Sequence, residues 1–241
     1  MPRRSARSLF ATLAKSAFAV GVFSATVAAW SLVGPHVVAH RALPDGGVEG
    51  RCAIWFVGSS SIHRWTTMAS DMAPWEVHNR GVNGALMTEL TARFLNERAV
   101  AKPAAVVFYL GENDINAGAG PEAVEGAAAH LVRTTRQRMP GTKVFVVGLK
   151  PSPRRWAQRP EQLRFNRAAA TWAREDRHVT FLDVADTLLV RGVPGPFFLD
   201  DGIHLDDAGY RRWSRRVRAG IEAAMPPATV RPCTARRPAA A

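Results

Sequence analysis

Residues 52–62 read Cys-Ala-Ile-Trp-Phe-Val-Gly-Ser-Ser-Ser-Ile: six uncharged, mostly apolar residues, then a glycine and three serines. An apolar run this short, bounded by small turn residues, suits a strand buried on both faces. Ala104–Leu110 (AAVVFYL), Lys143–Leu149 (KVFVVGL) and His178–Val184 (HVTFLDV) repeat the pattern, and Trp75–Asn79 (WEVHN) is a weaker further strand. Helical stretches separate them at Leu86–Arg98, Pro121–Met139, Pro160–Arg174 and Asp206–Ala224, with Pro121 and Pro160 at first-turn positions where the missing N–H costs nothing. Alternation of strand and helix calls for right-handed crossovers and a parallel sheet covered on both faces. The expected fold is α/β, a three-layer α/β/α sandwich around a parallel sheet of about five strands.

The chain has 241 residues, 47% hydrophobic and 22% charged, enough for one domain with a sizeable core. That composition excludes wholesale disorder, collagen-like repetition and a polytopic membrane protein. The net charge of +12 raises nucleic acid or anionic lipid as partners. Its placement argues otherwise. Arg3, Arg4, Arg7 and Lys15 precede 18 uncharged residues, Ser16–Val33, the arrangement of an export signal. This apolar run is also close to the ~20 residues that span a bilayer. A cleaved signal peptide ending at Ala39 and a retained membrane anchor both remain open, and either puts the rest of the chain outside the cytoplasm. The expected division is 1–39 as signal or anchor, 40–225 as the folded α/β domain and 226–241 as a flexible, Pro- and Ala-rich basic tail. With no zinc finger, no RNP aromatic pattern and no basic helix with interleaved aromatics, nucleic acid is not an expected partner. The oligomeric state is left open.

In a parallel α/β sheet, ligands bind at the carboxyl ends of the strands. Three loops there are unusual: Gly58-Ser59-Ser60-Ser61-Ile62, Asn79-Arg80-Gly81-Val82-Asn83-Gly84 and Gly111-Glu112-Asn113-Asp114. A fourth, Asp200-Asp201-Gly202-Ile203-His204, precedes the last helix. A serine hydroxyl needs a base within hydrogen-bond reach and a third group to orient that base. The Asp-x-x-His spacing lets Asp201 fold back onto one nitrogen of His204, leaving the other for Ser60. Donors for an oxyanion are available from the Ser60 N–H, the Gly84 N–H and the Asn113 side-chain amide. Ile62 removes the Gly-x-Ser-x-Gly elbow, so an α/β-hydrolase is disfavoured. No Walker A, no Gly-x-Gly-x-x-Gly and no His or Cys pair at ligand spacing is present, so neither cofactor nor metal is expected.

These four blocks resemble those of the SGNH hydrolases, also called GDSL-type esterases and lipases, over about Cys52–Ala224. The Gly-Ser-Ser-Ser-Ile form followed by Trp65, with the Pro151–Arg154 loop, resembles a bacterial branch. The resemblance implies a flavodoxin-like fold and a cofactor-free serine ester hydrolase. Ser60 would be the nucleophile, His204 the base, Asp201 its orienting group, and Ser60, Gly84 and Asn113 the oxyanion hole. One departure is Ser59, which stands where the name-giving motif has Asp; Ser61 is the competing nucleophile. Arg80, Arg154, Arg155 and Trp156 stand at the active-site end as expected substrate contacts, and His63 is a further residue near the site. The expected partner is a small-molecule, glycan or lipid ester, with membrane association through the N-terminal segment. A non-catalytic envelope-binding domain on the same fold is the alternative. Cys52 begins the first strand, at the sheet edge to which the last helix returns, so Cys233 is expected to form a disulfide with it.

Overall fold

The computed structural model describes residues 41–45, 50–97 and 102–234. The expected signal or anchor at 16–33, the site at Ala39 and residues 235–241 lie outside the described residues. In chain order the elements are β1 Gly50–Gly58, α1 Ser60–His63, α2 Met68–Asp71, β2 Glu76–Gly81, α3 Met87–Asn96, β3 Pro103–Tyr109, α4 Glu112–Asn116, α5 Pro121–Arg138 and β4 Lys143–Val147. There follow a 3-10 turn at Trp156–Gln158, α6 Arg159–Ala173, β5 Val179–Leu182, a 3-10 turn at Ala185–Leu188, a small hairpin of β6 Leu189–Val190 and β7 Val193–Pro194, α7 Asp207–Ala224 and α8 Pro227–Thr234. Among the described residues no helix is long and apolar enough to cross a membrane.

β1 to β5 form one parallel sheet in the order β2-β1-β3-β4-β5. The chain steps outward from β1 to β2, then crosses back to place β3 on the other side of β1. The topological switch therefore lies between β1 and β3, and a crevice opens at their carboxyl ends. The middle of the sheet is buried on both faces: Ile54, Trp55, Phe56 and Val57 of β1 and Ala105, Val106 and Val107 of β3 are all enclosed. This is the reason the strands read as continuous apolar runs and not as alternation. The weak strand signal at Trp75–Asn79 is explained by β2 being the sheet edge, where Glu76 stays exposed.

The tail departs from expectation. Residues 227–234 form α8, with Pro227 in its first turn and the Pro226 carbonyl accepting from the Thr229 and Val230 N–H groups. Cys233 is fully buried and joined to Cys52 by a disulfide. An anchored end can form a helix that its composition alone would not hold, so the fold extends past 225. The bridge closes a separation of 181 residues, and a loop that long restricts the unfolded chain strongly. Replacing both cysteines by alanine is expected to lower the unfolding free energy by about 2–5 kcal/mol in denaturant titration. The loops at the carboxyl ends of the strands should be undisturbed in the folded variant, because Cys52 lies at the amino end of β1.

Candidate active site

Three strand ends lie in one row. Gly58 of β1 pairs with Gly81 of β2 and with Tyr109 of β3, so the three following loops leave the sheet at the same level. Gly81 permits the closeness of the first two: a Cβ there would stand 2.2 Å from the His63 nitrogen. The loops are then tied together by Val82 N–H to the Gly58 carbonyl (2.9 Å), Asn79 Nδ2 to the Ile62 carbonyl (2.8 Å) and Ser59 N–H to the Tyr109 carbonyl (3.3 Å). Beneath them Trp65 stacks on Tyr210 of α7 and meets Trp213, while the Tyr210 hydroxyl donates to the Ser61 carbonyl at 2.9 Å. The fold thus positions Ser60 from both β1 and α7.

Ser60 is 8% exposed, and its Oγ lies 2.9 Å from His204 Nε2. His204 Nδ1 lies 2.6 Å from Asp201 Oδ2, while Asp201 Oδ1 accepts the backbone N–H groups of Ile203 and His204 at 2.8 and 2.9 Å. A carboxylate only accepts, so Nδ1 carries the proton and Nε2 presents a lone pair to the Ser60 hydroxyl. Desolvation pushes the Asp201 carboxyl up, but the His204 side chain and the two backbone donors outweigh it and hold the group well below the usual carboxylate range. The loop is closed by Leu199 N–H to the His204 carbonyl (2.8 Å) and braced by Arg154 N–H to the Gly202 carbonyl (3.0 Å).

On the other side of Ser60 the turn at Gly84 has φ +73°, a left-handed conformation that glycine adopts without strain. The turn is held from α4 by two contacts. Asn113 Nδ2 donates to the Ala85 carbonyl at 3.0 Å, and both Asp114 oxygens accept the Met87 N–H at 3.0 and 3.1 Å. Burial raises the Asp114 carboxyl, and the Met87 bond opposes that shift.

Ser60, His204 and Asp201 therefore form one continuous relay, and Gly84 and Asn113 sit on adjoining loops linked through Ala85. Ser61 is turned inward, 2% exposed. His63 is an exposed side chain with Nδ1 3.3 Å from the Gly81 carbonyl. Arg154 is exposed beside the Asp201 loop, and Trp156 is half-buried in the 3-10 turn. Arg80 requires correction as a substrate contact: it is 1% exposed, lies over the Trp55 ring and pairs with Glu97 at 2.7 Å, with Nε donating to the Asp45 carbonyl. Being on β2 and not past its end, its side chain enters the fold.

A buried charge cluster escaped the sequence reading. Glu112, 3% exposed, accepts from Lys150 Nζ at 2.9 and 3.1 Å and from the Tyr109 hydroxyl at 2.5 Å, and forms an ion pair with Arg155 at 3.2 Å. The acid beside Asn113 was a visible signal; nothing in a Lys-Pro-Ser-Pro loop announces that Lys150 is fully enclosed. Burial raises the Glu112 carboxyl, but the Lys150 and Arg155 charges and the Tyr109 bond prevail, and its net displacement is downward. Such a group stabilises the fold above its unfolded-state pKa and loses that contribution as pH falls through the lower, folded value. Glu112→Gln leaves Lys150 buried without its counter-charge. It should cost about 3–5 kcal/mol at neutral pH, with the gap to wild type narrowing below about pH 4 in thermal or denaturant melts.

Residues 47–212 match the model of the GDSL-like lipase/acylhydrolase family. No curated protein matches the sequence. Among solved structures, the chain is similar to a GDSL-like lipase from Bacteroides thetaiotaomicron, at 19% identity and TM-score 0.61 over 81% of this chain and 98% of that one. It is also similar to a carbohydrate esterase family 3 protein from Talaromyces cellulolyticus, at 17% identity and TM-score 0.58 over 72% and 97%. An acetyl esterase variant solved with an acetate ion gives 17%, 0.58, 72% and 97%. At these identities the structures share the fold, and the family match carries the activity. The chain belongs to the GDSL-like lipase/acylhydrolase family and is a carboxylic ester hydrolase.

Proposed function

We propose that this protein is an exported serine esterase that removes a short acyl group from a carbohydrate or lipid ester through an acyl-enzyme. The observation that carries the reading is the relay Ser60–His204–Asp201, with Ser60 Oγ 2.9 Å from an imidazole nitrogen whose partner nitrogen is fixed on a carboxylate. Ser60 Oγ attacks the ester carbonyl carbon as its proton passes to His204 Nε2. Asp201 stabilises the resulting imidazolium. The Ser60 N–H, the Gly84 N–H and the Asn113 amide receive the oxyanion. His204 returns the proton to the departing alcohol oxygen, and water then repeats the sequence on the acyl-enzyme.

Three features support the substrate class. The loops around Ser60 are short, which favours a small acyl group over a long chain needing a deep channel. Leu86, two residues after Gly84, and Leu199, whose N–H donates to the His204 carbonyl, are exposed apolar side chains on the loops that carry the site residues. The similar folds of a carbohydrate esterase and an acetyl esterase point the same way. Export, through a cleaved or retained 16–33 segment, rests on the sequence pattern alone.

A fluorophosphonate probe should label the purified protein at Ser60. Ser60→Ala and His204→Ala should abolish labelling and each reduce kcat by at least about 10³-fold. Absence of labelling in folded wild type would return the chain to a non-catalytic binding domain. Across nitrophenyl esters the rate should be highest at acetate and fall with chain length. Because Asp201 is held well below the ordinary range, it adds no limb to the pH–rate profile above about pH 4.

A further inference from the structure

We infer that Arg155 is a positioning residue for the oxyanion site, its guanidinium locking the Asn113 amide with the N–H end toward the reacting ester. The inference rests on the proposed acyl-enzyme chemistry. An asparagine amide is nearly isosteric about its own axis: turned one way it offers N–H donors, turned the other it offers a carbonyl oxygen that would repel an oxyanion. Arg155 has donors only, and its Nη1 lies 3.0 Å from Asn113 Oδ1. A flipped amide would set its NH2 against the guanidinium and its oxygen against the Ala85 carbonyl, losing both bonds.

Arg155 can hold the amide because it is itself held. The same Nη1 lies 3.2 Å from Glu112 Oε1, and Glu112 is fixed by Lys150 and Tyr109. The backbone joins in: the preceding residue, Arg154, donates to the Gly202 carbonyl in the Asp201–His204 loop. One short segment after β4 thereby braces both halves of the site. The charge count is equally informative. Of the three charges in contact here, Lys150 and Arg155 are positive and Glu112 alone is negative, so the Arg155 guanidinium is not fully cancelled by the carboxylate it shares with Lys150. A cation donating to the amide oxygen polarises its N–H groups in a water-poor setting, where preorganised donors act most strongly on a developing negative charge.

The test is a double-mutant cycle of Arg155→Met with Asn113→Ala, measured on nitrophenyl acetate. Arg155→Met alone should lower kcat about 10- to 100-fold with KM changed less than about threefold, as for loss of an oxyanion donor. In the Asn113→Ala background the same change should cost less than about threefold, because the amide it positions is gone. Arg155→Lys, which keeps the charge but not the planar fork, should fall between wild type and Arg155→Met, and it carries the cycle if Arg155→Met does not fold. Equal losses in both backgrounds, or a raised KM with kcat intact, would overturn the inference while leaving the esterase reading in place. A wild type that neither hydrolyses esters nor takes the probe would overturn both.

Discussion

The hydrogen bond between Ser60 and His204 joins groups 144 residues apart in the chain, at 2.9 Å. A mispositioning of about 1 Å at such a contact is costly to catalysis, so the two loops must be held by structure more rigid than themselves. The serine side is held by the aligned ends of β1, β2 and β3 and by Tyr210 of α7 beneath it. The histidine side is held by the Asp201 carboxylate, the Leu199–His204 backbone bond and the brace from Arg154. α7 is common to both, since Tyr210 supports the Ser60 loop while Asp206 caps the same helix and bonds to Phe197 through its own N–H.

Two kinds of electrostatic support meet at this bond. On the exposed side, Asp201 stays ionised through local hydrogen bonds and orients the His204 imidazole, whose charge it would balance in the proposed mechanism. On the buried side, Glu112, Lys150, Arg155 and Tyr109 form a cluster with every charge compensated except one. Buried ion pairs seldom stabilise a fold beyond what apolar packing would. Their retention beside Asn113 is better understood as fixing the direction of a single amide. Asp114 does related work, clamping the turn that carries Gly84 to the helix that carries Asn113.

Much of this was legible in the sequence, and for a physical reason. Strands buried on both faces have to be continuously apolar, so β1, β3, β4 and β5 stand out, and the parallel sheet follows from strand–helix alternation. The groups proposed to act on the ester are small or polar and lie in loops at strand ends, which makes Ser60, Asn113 and His204 conspicuous. Contacts made across the fold leave no such trace. Arg80 resembles any loop arginine until Trp55 and Glu97 are seen around it. Lys150 looks like a solvated cation and Arg155 like a substrate contact until Glu112 is found between them. The α8 helix, with Pro232 inside it, is tied to β1 by the disulfide to Cys52, a contact that its own composition does not announce.

In the proposed mechanism an activated Ser60 carries the acyl group between two half-reactions. Rapid acid quench of the protein during turnover of nitrophenyl acetate, followed by peptide mass mapping, tests it most directly. The expected result is an acetyl group on the peptide containing Ser60, on the Ser60 side chain and not on Ser61, formed in a burst before steady turnover and absent in His204→Ala. Steady hydrolysis with no covalent adduct, or acetyl found on Ser61, would contradict it.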